Sequence, residues 1–115
     1  MYNFQKVSAV LADYGFTTMW LNNDWQGADF IAVHADGETD IRVQLKGRLS
    51  FARKYVGKNI YICFIEGSDT YLYPHDALLN LVEERISDQT WKTKGTWSSP
   101  TLSGYFRDIL STHKL

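Results

Sequence analysis

The dipeptide Asp36-Gly37 constrains this chain more than any other feature, because of what flanks it. Before it runs Asp29-Phe30-Ile31-Ala32-Val33-His34, and after it Asp40-Ile41-Arg42-Val43-Gln44-Leu45-Lys46. Asp-Gly between two β-favouring runs predicts a hairpin, since tight hairpin turns need positive φ at their centre. The second arm alternates: Ile41, Val43 and Leu45 face one way, Asp40, Arg42, Gln44 and Lys46 the other. In a two-residue loop Ala35 faces Glu38, and counting outward puts Asp29 directly opposite Gln44, with Cβ atoms about 4.5–5.5 Å apart. A four-residue loop on the same dipeptide keeps that pairing, and an odd loop breaks it. Lys46 shares the face, one step beyond Gln44. A carboxylate, an amide and an ammonium are therefore expected at one end of the hairpin.

The remaining elements follow from periodicity. Residues 3 to 14 read as an amphipathic helix, with Phe4, Val7, Ala9, Val10, Leu11 and Tyr14 on one broad side and Gly15 as a stop. Thr17 to Leu21 is β-favouring, and Asn22-Asn23-Asp24 is expected to break it. Asn59 to Ile65 is a nearly continuous apolar run, as in a central buried strand, and it holds the one cysteine, Cys63, which reads as core. Glu66-Gly67-Ser68-Asp69 turns into a strand over 70–73 that ends at Pro74, and Asp76 to Ile86 carries a helical pattern. Trp91 to Pro100 reads as irregular, and a short final helix is expected from Ser103 to Thr112. The 115 residues suffice for one domain, 1–115, of the α/β (α+β layered) class with a single mixed sheet.

The hairpin cluster suits metal-assisted phosphodiester cleavage. A carboxylate holds a hard divalent cation, and carbonyl oxygens and waters complete its shell. Such a cation neutralises the phosphate and activates a water, while a lysine stabilises charge developing on phosphorus. The plainer alternative is a solvated polar face of a hairpin.

Two pieces, Asp24-Trp25-Gln26-Gly27-Ala28-Asp29 and Gln44-Leu45-Lys46, resemble the PD-(D/E)xK nuclease superfamily. The Gln form of the second motif is similar to the Mrr-type enzymes, and the helix ending in Tyr14-Gly15-Phe16 to the Holliday-junction-resolvase-like branch. The resemblance covers residues 3 to 82. It implies a restriction-endonuclease-like mixed sheet with an αβββαβ core flanked by helices. It implies Asp29 as the metal-binding carboxylate, with the Gln44 oxygen and the Leu45 carbonyl as further ligands, and Lys46 as the catalytic lysine. The position nearest the helix glutamate of that branch is Gln5. Two acids of the pattern are thus replaced by amides, and Asp24 or Asp40 are the nearby carboxylates. The implied activity is a Mg²⁺-dependent (or Mn²⁺-dependent) endonuclease acting on DNA, in a homodimer or higher homo-oligomer because two strands need two sites. Its alternatives are a nuclease-like fold that binds nucleic acid or a protein without catalysis, and a structural accessory domain.

Charge supports a nucleic-acid partner only locally. Lys and Arg number 12 against 13 Asp and Glu, which excludes binding through bulk positive charge. Yet from Ile41 to Lys58 there is no acid, and Arg42, Lys46, Arg48, Arg53, Lys54 and Lys58 surround the proposed site. Trp91-Lys92-Thr93-Lys94-Gly95-Thr96-Trp97 is a second candidate surface, unless its tryptophans are core. The three histidines form no site by spacing, and His75 is expected to shape a helix start beside Asp76. With no apolar run of about 18 residues and no secretory pattern, the expectation is a cytoplasmic protein without membrane contact.

Overall fold

The computed structural model describes residues 2–115, with Asp24 and Trp25 described by their backbone alone. The amphipathic N-terminal stretch forms α1 (Tyr2–Asp13), which buries Val7 and Leu11. Gly15 then turns the chain at φ +88°, where a side chain would be strained and its Cβ would sit 2.8 Å from the His34 imidazole. Strand β1 (Phe16–Trp25) pairs antiparallel with β2 (Ala28–His34), from Phe16↔His34 to Trp20↔Phe30 and again at Trp25↔Ala28. The Asn22-Asn23-Asp24 segment does not end the strand as expected. It interrupts the ladder instead, because a bulge accommodates residues that favour turns without terminating the strand.

The hairpin forms as the Asp36-Gly37 signal predicts, in its four-residue version. His34 N–H donates to Thr39 O at 2.8 Å, and β3 (Asp40–Leu45) pairs with β2 from Val33↔Asp40 to Phe30↔Val43. Asp36 organises the loop: its carboxylate accepts from the Glu38 and Thr39 amides and the Thr39 hydroxyl, each at 2.8 Å. These bonds hold its carboxyl down to about 2.

The basic stretch after β3 holds β4 (Leu49–Ala52) and a 3-10 turn (Arg53–Tyr55). The apolar run is β5 (Ile60–Glu66), parallel to β3 and antiparallel to β6 (Asp69–Pro74). Helix α2 (His75–Ile86) follows. The stretch read as irregular is instead α3 (Gln89–Lys94) and β7 (Thr96–Ser99), and β7 pairs antiparallel with β4. Helix α4 (Gly104–Leu110) and a 3-10 turn (Ser111–His113) end the chain. The result is a mixed five-stranded sheet in the order β1-β2-β3-β5-β6, flanked by helices, with a separate β4–β7 ribbon. It is an α/β layered fold as expected. Relative to an αβββαβ order, the parallel crossover from β3 to β5 runs through β4 and a 3-10 turn and contains no α-helix.

Two cores lie on the two faces of the sheet. Val7 and Leu11 of α1 pack with Phe30, Ala32, Val43 and Cys63, all fully buried. The other face buries Ile60, Ile62, Phe64, Tyr71 and Tyr73 beneath α2, α4 and the ribbon. Side chains, not a ladder, fasten β4 to this layer. The Tyr73 hydroxyl donates to Ser50 O at 2.6 Å and accepts from Ser50 N–H at 3.2 Å. His75, buried at the start of α2, accepts from Ala52 N–H at 3.1 Å through Nε2. Its Nδ1 lies 2.8 Å from Asp76 Oδ1, so the tautomer carries its hydrogen on Nδ1. Among the described residues no helix is long and apolar enough to cross a membrane.

Candidate functional site

The site begins where the β2–β3 ladder stops. Bonded rungs alternate along an antiparallel pair, and the His34–Thr39 bond sets their phase. Phe30↔Val43 is the last paired position, and the next bonded rung in that phase would join Ala28 to Leu45. That rung is replaced. Asp29 Oδ2 accepts from Leu45 N–H at 2.9 Å, so a side-chain carboxylate fills the fork in which the strands part.

Three oxygen-bearing groups belong to the strand ends at this fork. The register, if carried one residue past the last pair Phe30↔Val43, would set Gln44 opposite Asp29. Gln44 Oε1 is buried without a hydrogen-bond partner, the sole such side-chain atom among the described residues. Leaving a polar atom in that state costs about 1–3 kcal/mol, which native proteins rarely tolerate without a ligand or water to meet it. The carbonyl of Leu45 projects from the same edge of β3 as its N–H, hence toward Asp29. The next residue turns to the other side, where Lys46 N–H donates to Cys63 O at 2.9 Å. A carboxylate, an amide oxygen and a backbone carbonyl are hard oxygen donors, the set that suits Mg²⁺ or Mn²⁺. The charge is sparse: among the described residues no three of His, Cys, Asp and Glu gather as a metal cluster.

Lys46 is half-buried, with its ammonium 5.4 Å from the Tyr55 ring centroid. The Lys54 ammonium lies 5.3 Å from the same ring. Both lysines line a cleft of about 400 Å³ between the ribbon and the start of α3, together with Ser50, Asp88, Thr90 and Trp97. Neither Asp29 nor Gln44 lines that cleft; Lys46, the residue after Leu45 in the chain, does.

The other expected residues scatter. Arg42 shares the face of Asp29 and Gln44, and its guanidinium donates to Gln26 Oε1 beside the β1–β2 turn. The Arg53 guanidinium stacks 4.8 Å from the Trp91 ring. Arg48 and Lys58 are exposed. Gln5 is exposed on α1, which packs on the opposite face of the sheet, so it is not gathered with Asp29 and Gln44. Asp40 pairs with Val33 at the far end of the hairpin, and the Asp24 side chain lies outside the described residues. Trp91 is core at 2% exposure, whereas Trp97 is half-buried at the cleft.

Residues that sequence reasoning missed are supports. Tyr55, 3% exposed, is the platform for both lysines. Burial pushes the Tyr73 phenol well above its ordinary range, so the clamp on Ser50 is a neutral hydroxyl at any ordinary pH. Burial lowers His75, and Asp76 opposes that only in part, which keeps the ring neutral. Partial burial works against the Asp76 charge, but the Gly57 amide and His75 outweigh it and hold the carboxyl below its usual range. No protein-family model, curated protein or solved structure matches the chain.

Proposed function

We propose that this protein is a metal-dependent endonuclease that hydrolyses nucleic-acid phosphodiester bonds, with DNA as its substrate. The observation that carries the reading is the orphaned Gln44 Oε1, buried opposite Asp29 at the fork of β2 and β3. Asp29, the Gln44 oxygen and the Leu45 carbonyl would hold one Mg²⁺ or Mn²⁺. When bound, that ion neutralises a phosphate oxygen and makes a water a better nucleophile. Asp29 supplies the negative charge and, through Leu45 N–H, fixes the edge that offers the carbonyl. Lys46 follows on the same face and offers a positive charge to the phosphate. Arg42 on that face, and Lys54 beside Lys46, give the nucleic-acid backbone further contacts. Cutting both strands of a duplex requires a second site, which makes a homodimer the working assembly.

The sparse charge favours one specific alternative, a nuclease-like domain that binds nucleic acid without cutting it. Two measurements decide between them. The endonuclease cleaves plasmid or branched DNA with Mg²⁺ and not with EDTA, and Lys46→Ala abolishes cleavage. Calorimetry shows Mn²⁺ binding that Asp29→Asn removes. Asp29-dependent metal binding without cleavage would leave the binding domain. No metal binding and no cleavage would overturn the proposal.

A further inference from the structure

Lys46 opens onto a cleft that metal chemistry does not use. We infer that this cleft seats one unpaired nucleotide of the substrate strand, its base against Trp97 and its phosphate between Lys46 and Lys54. The inference rests on the nucleic-acid reading of the fork, because Lys46 belongs to both.

Size comes first. A cleft of about 400 Å³ falls at the lower end of the roughly 300–1,000 Å³ range of small-ligand sites, too small for a duplex and adequate for one nucleotide. The two ammoniums share one aromatic platform, 5.4 and 5.3 Å from the Tyr55 centroid, and among the described residues neither makes an ion pair. Both lysines also line the cleft, so a phosphate seated there meets two cations that no carboxylate pairs among the described residues. Trp97 is fixed from behind, with Phe51 at 6.2 Å and Phe106 at 5.4 Å between ring centroids. A half-buried, braced indole offers a stacking surface at little entropic cost.

The polar lining distinguishes a nucleotide from a bare anion. Ser50 and Thr90 bring hydroxyls, and Asp88 brings a carboxylate with Oδ1 committed to Trp91 N–H at 2.9 Å. A carboxylate repels a second phosphate but accepts from the amino group of a base. In a duplex, base faces are covered by their neighbours, so only an unpaired or extruded base reaches the indole. The proposed substrate is therefore nucleic acid with a single-stranded element at the cleavage point.

Fluorescence anisotropy in EDTA tests this apart from catalysis, with a labelled single strand, the same sequence as a duplex, and an RNA copy of the strand. The single strand is expected to bind more tightly than the duplex, and a preference of the DNA or the RNA strand identifies the natural source. Trp97→Ala is expected to weaken single-strand binding about 5- to 150-fold and to leave duplex binding within about twofold. Because Trp97 also packs against Phe51 and Phe106, exposed Lys54 gives a second test. Lys54→Ala is expected to reduce the salt slope by about 0.7, one phosphate contact on a single strand. Equal affinity for strand and duplex, single-strand binding unchanged in both variants, or competition by a free mononucleotide as strong as by the oligonucleotide would overturn the inference. Failure here with Mg²⁺-dependent cleavage intact removes the seat and leaves the proposed function. A Trp97-dependent preference for single strands without cleavage does the reverse.

Discussion

Replacing Gln44 with Met should make the protein more stable and less able to bind a metal. Met matches Gln in length and flexibility, and it removes the buried carbonyl oxygen that lacks a partner. An unsatisfied buried polar atom costs about 1–3 kcal/mol, and an apolar group of similar shape avoids that cost. Gln44 as a residue is half-buried, so the lower end applies, a gain of about 1 kcal/mol. For a chain of this size that raises Tm by roughly 4 °C. Divalent cations reverse the order. On the proposed metal site, a metal at about 100 times its Kd would stabilise the native parent by about 2.7 kcal/mol, whereas Gln44→Met would lack one of the proposed oxygen ligands. Thermal denaturation in EDTA and in Mn²⁺ should therefore give curves that cross: the variant melts higher without metal and lower with it. A variant that melts below the parent in EDTA would show that the oxygen has a stabilising partner, and the reasoning would fail. An equal Mn²⁺ shift in both proteins would remove Gln44 from the ligand set.

Asp29 separates charge from hydrogen bonding. Asp29→Asn retains an acceptor for Leu45 N–H and should stay within about 1 kcal/mol of the parent, while Asp29→Ala should lose about 1.5–3 kcal/mol; both lose the Mn²⁺ shift. Urea unfolding checks the stabilities, and equal losses in the two variants would contradict the fork geometry. Tyr73→Phe removes the hydroxyl that both donates to and accepts from Ser50, so urea unfolding should show a loss of about 2 kcal/mol or more. Acid should destabilise the fold through His75. The unfolded imidazole takes its proton near 6.5, and the buried native one only at lower pH, so the unfolded state binds more protons in that window. Stability is complete above 6.5 and falls below it; Asp76, also lowered, adds the same sign below its ordinary 3.8. A Tm that rises on acidification below 6.5 would contradict the neutral tautomer that bonds Ala52.

The hairpin was legible because its determinants are local. Asp36 reaches amides only two and three residues ahead, which sets an even loop and fixes the register as far as Phe30↔Val43. The ribbon was not legible. Strands β4 and β7 have four residues each and are far apart in sequence, so neither is long enough to show alternation. What holds β4 in place is equally remote, a phenol and an imidazole from β6 and α2. Helix α3 did carry local signals. Asp88 caps its start by accepting from Trp91 N–H, and Gly95 ends it in the left-handed region, but six residues are too few for an apolar period. Asn22-Asn23-Asp24 was misread for the converse reason: propensity alone does not distinguish a strand end from a bulge inside a paired strand.

Positive charge shows the same distinction between nearness in sequence and nearness in space. Six basic residues between 41 and 58 read as one patch, but the fold disperses most of them. Arg42 is drawn to Gln26 and Arg53 to the face of Trp91, and Arg48 and Lys58 stay exposed. Only Lys46 and Lys54 converge: both ammoniums lie near the Tyr55 ring, which the turn after β4 buries, and both line the same cleft. The fork is likewise a consequence of a rung that fails. Were Ala28 to bond Leu45 in the regular phase, Asp29 would have no backbone donor to fill. Since the rung is missing, the chain holds a carboxylate beside an unsatisfied amide oxygen at the end of its best-specified hairpin. Local rules are kept along that hairpin and broken at its last position, where a stable protein gains nothing from the breach and a ligand would.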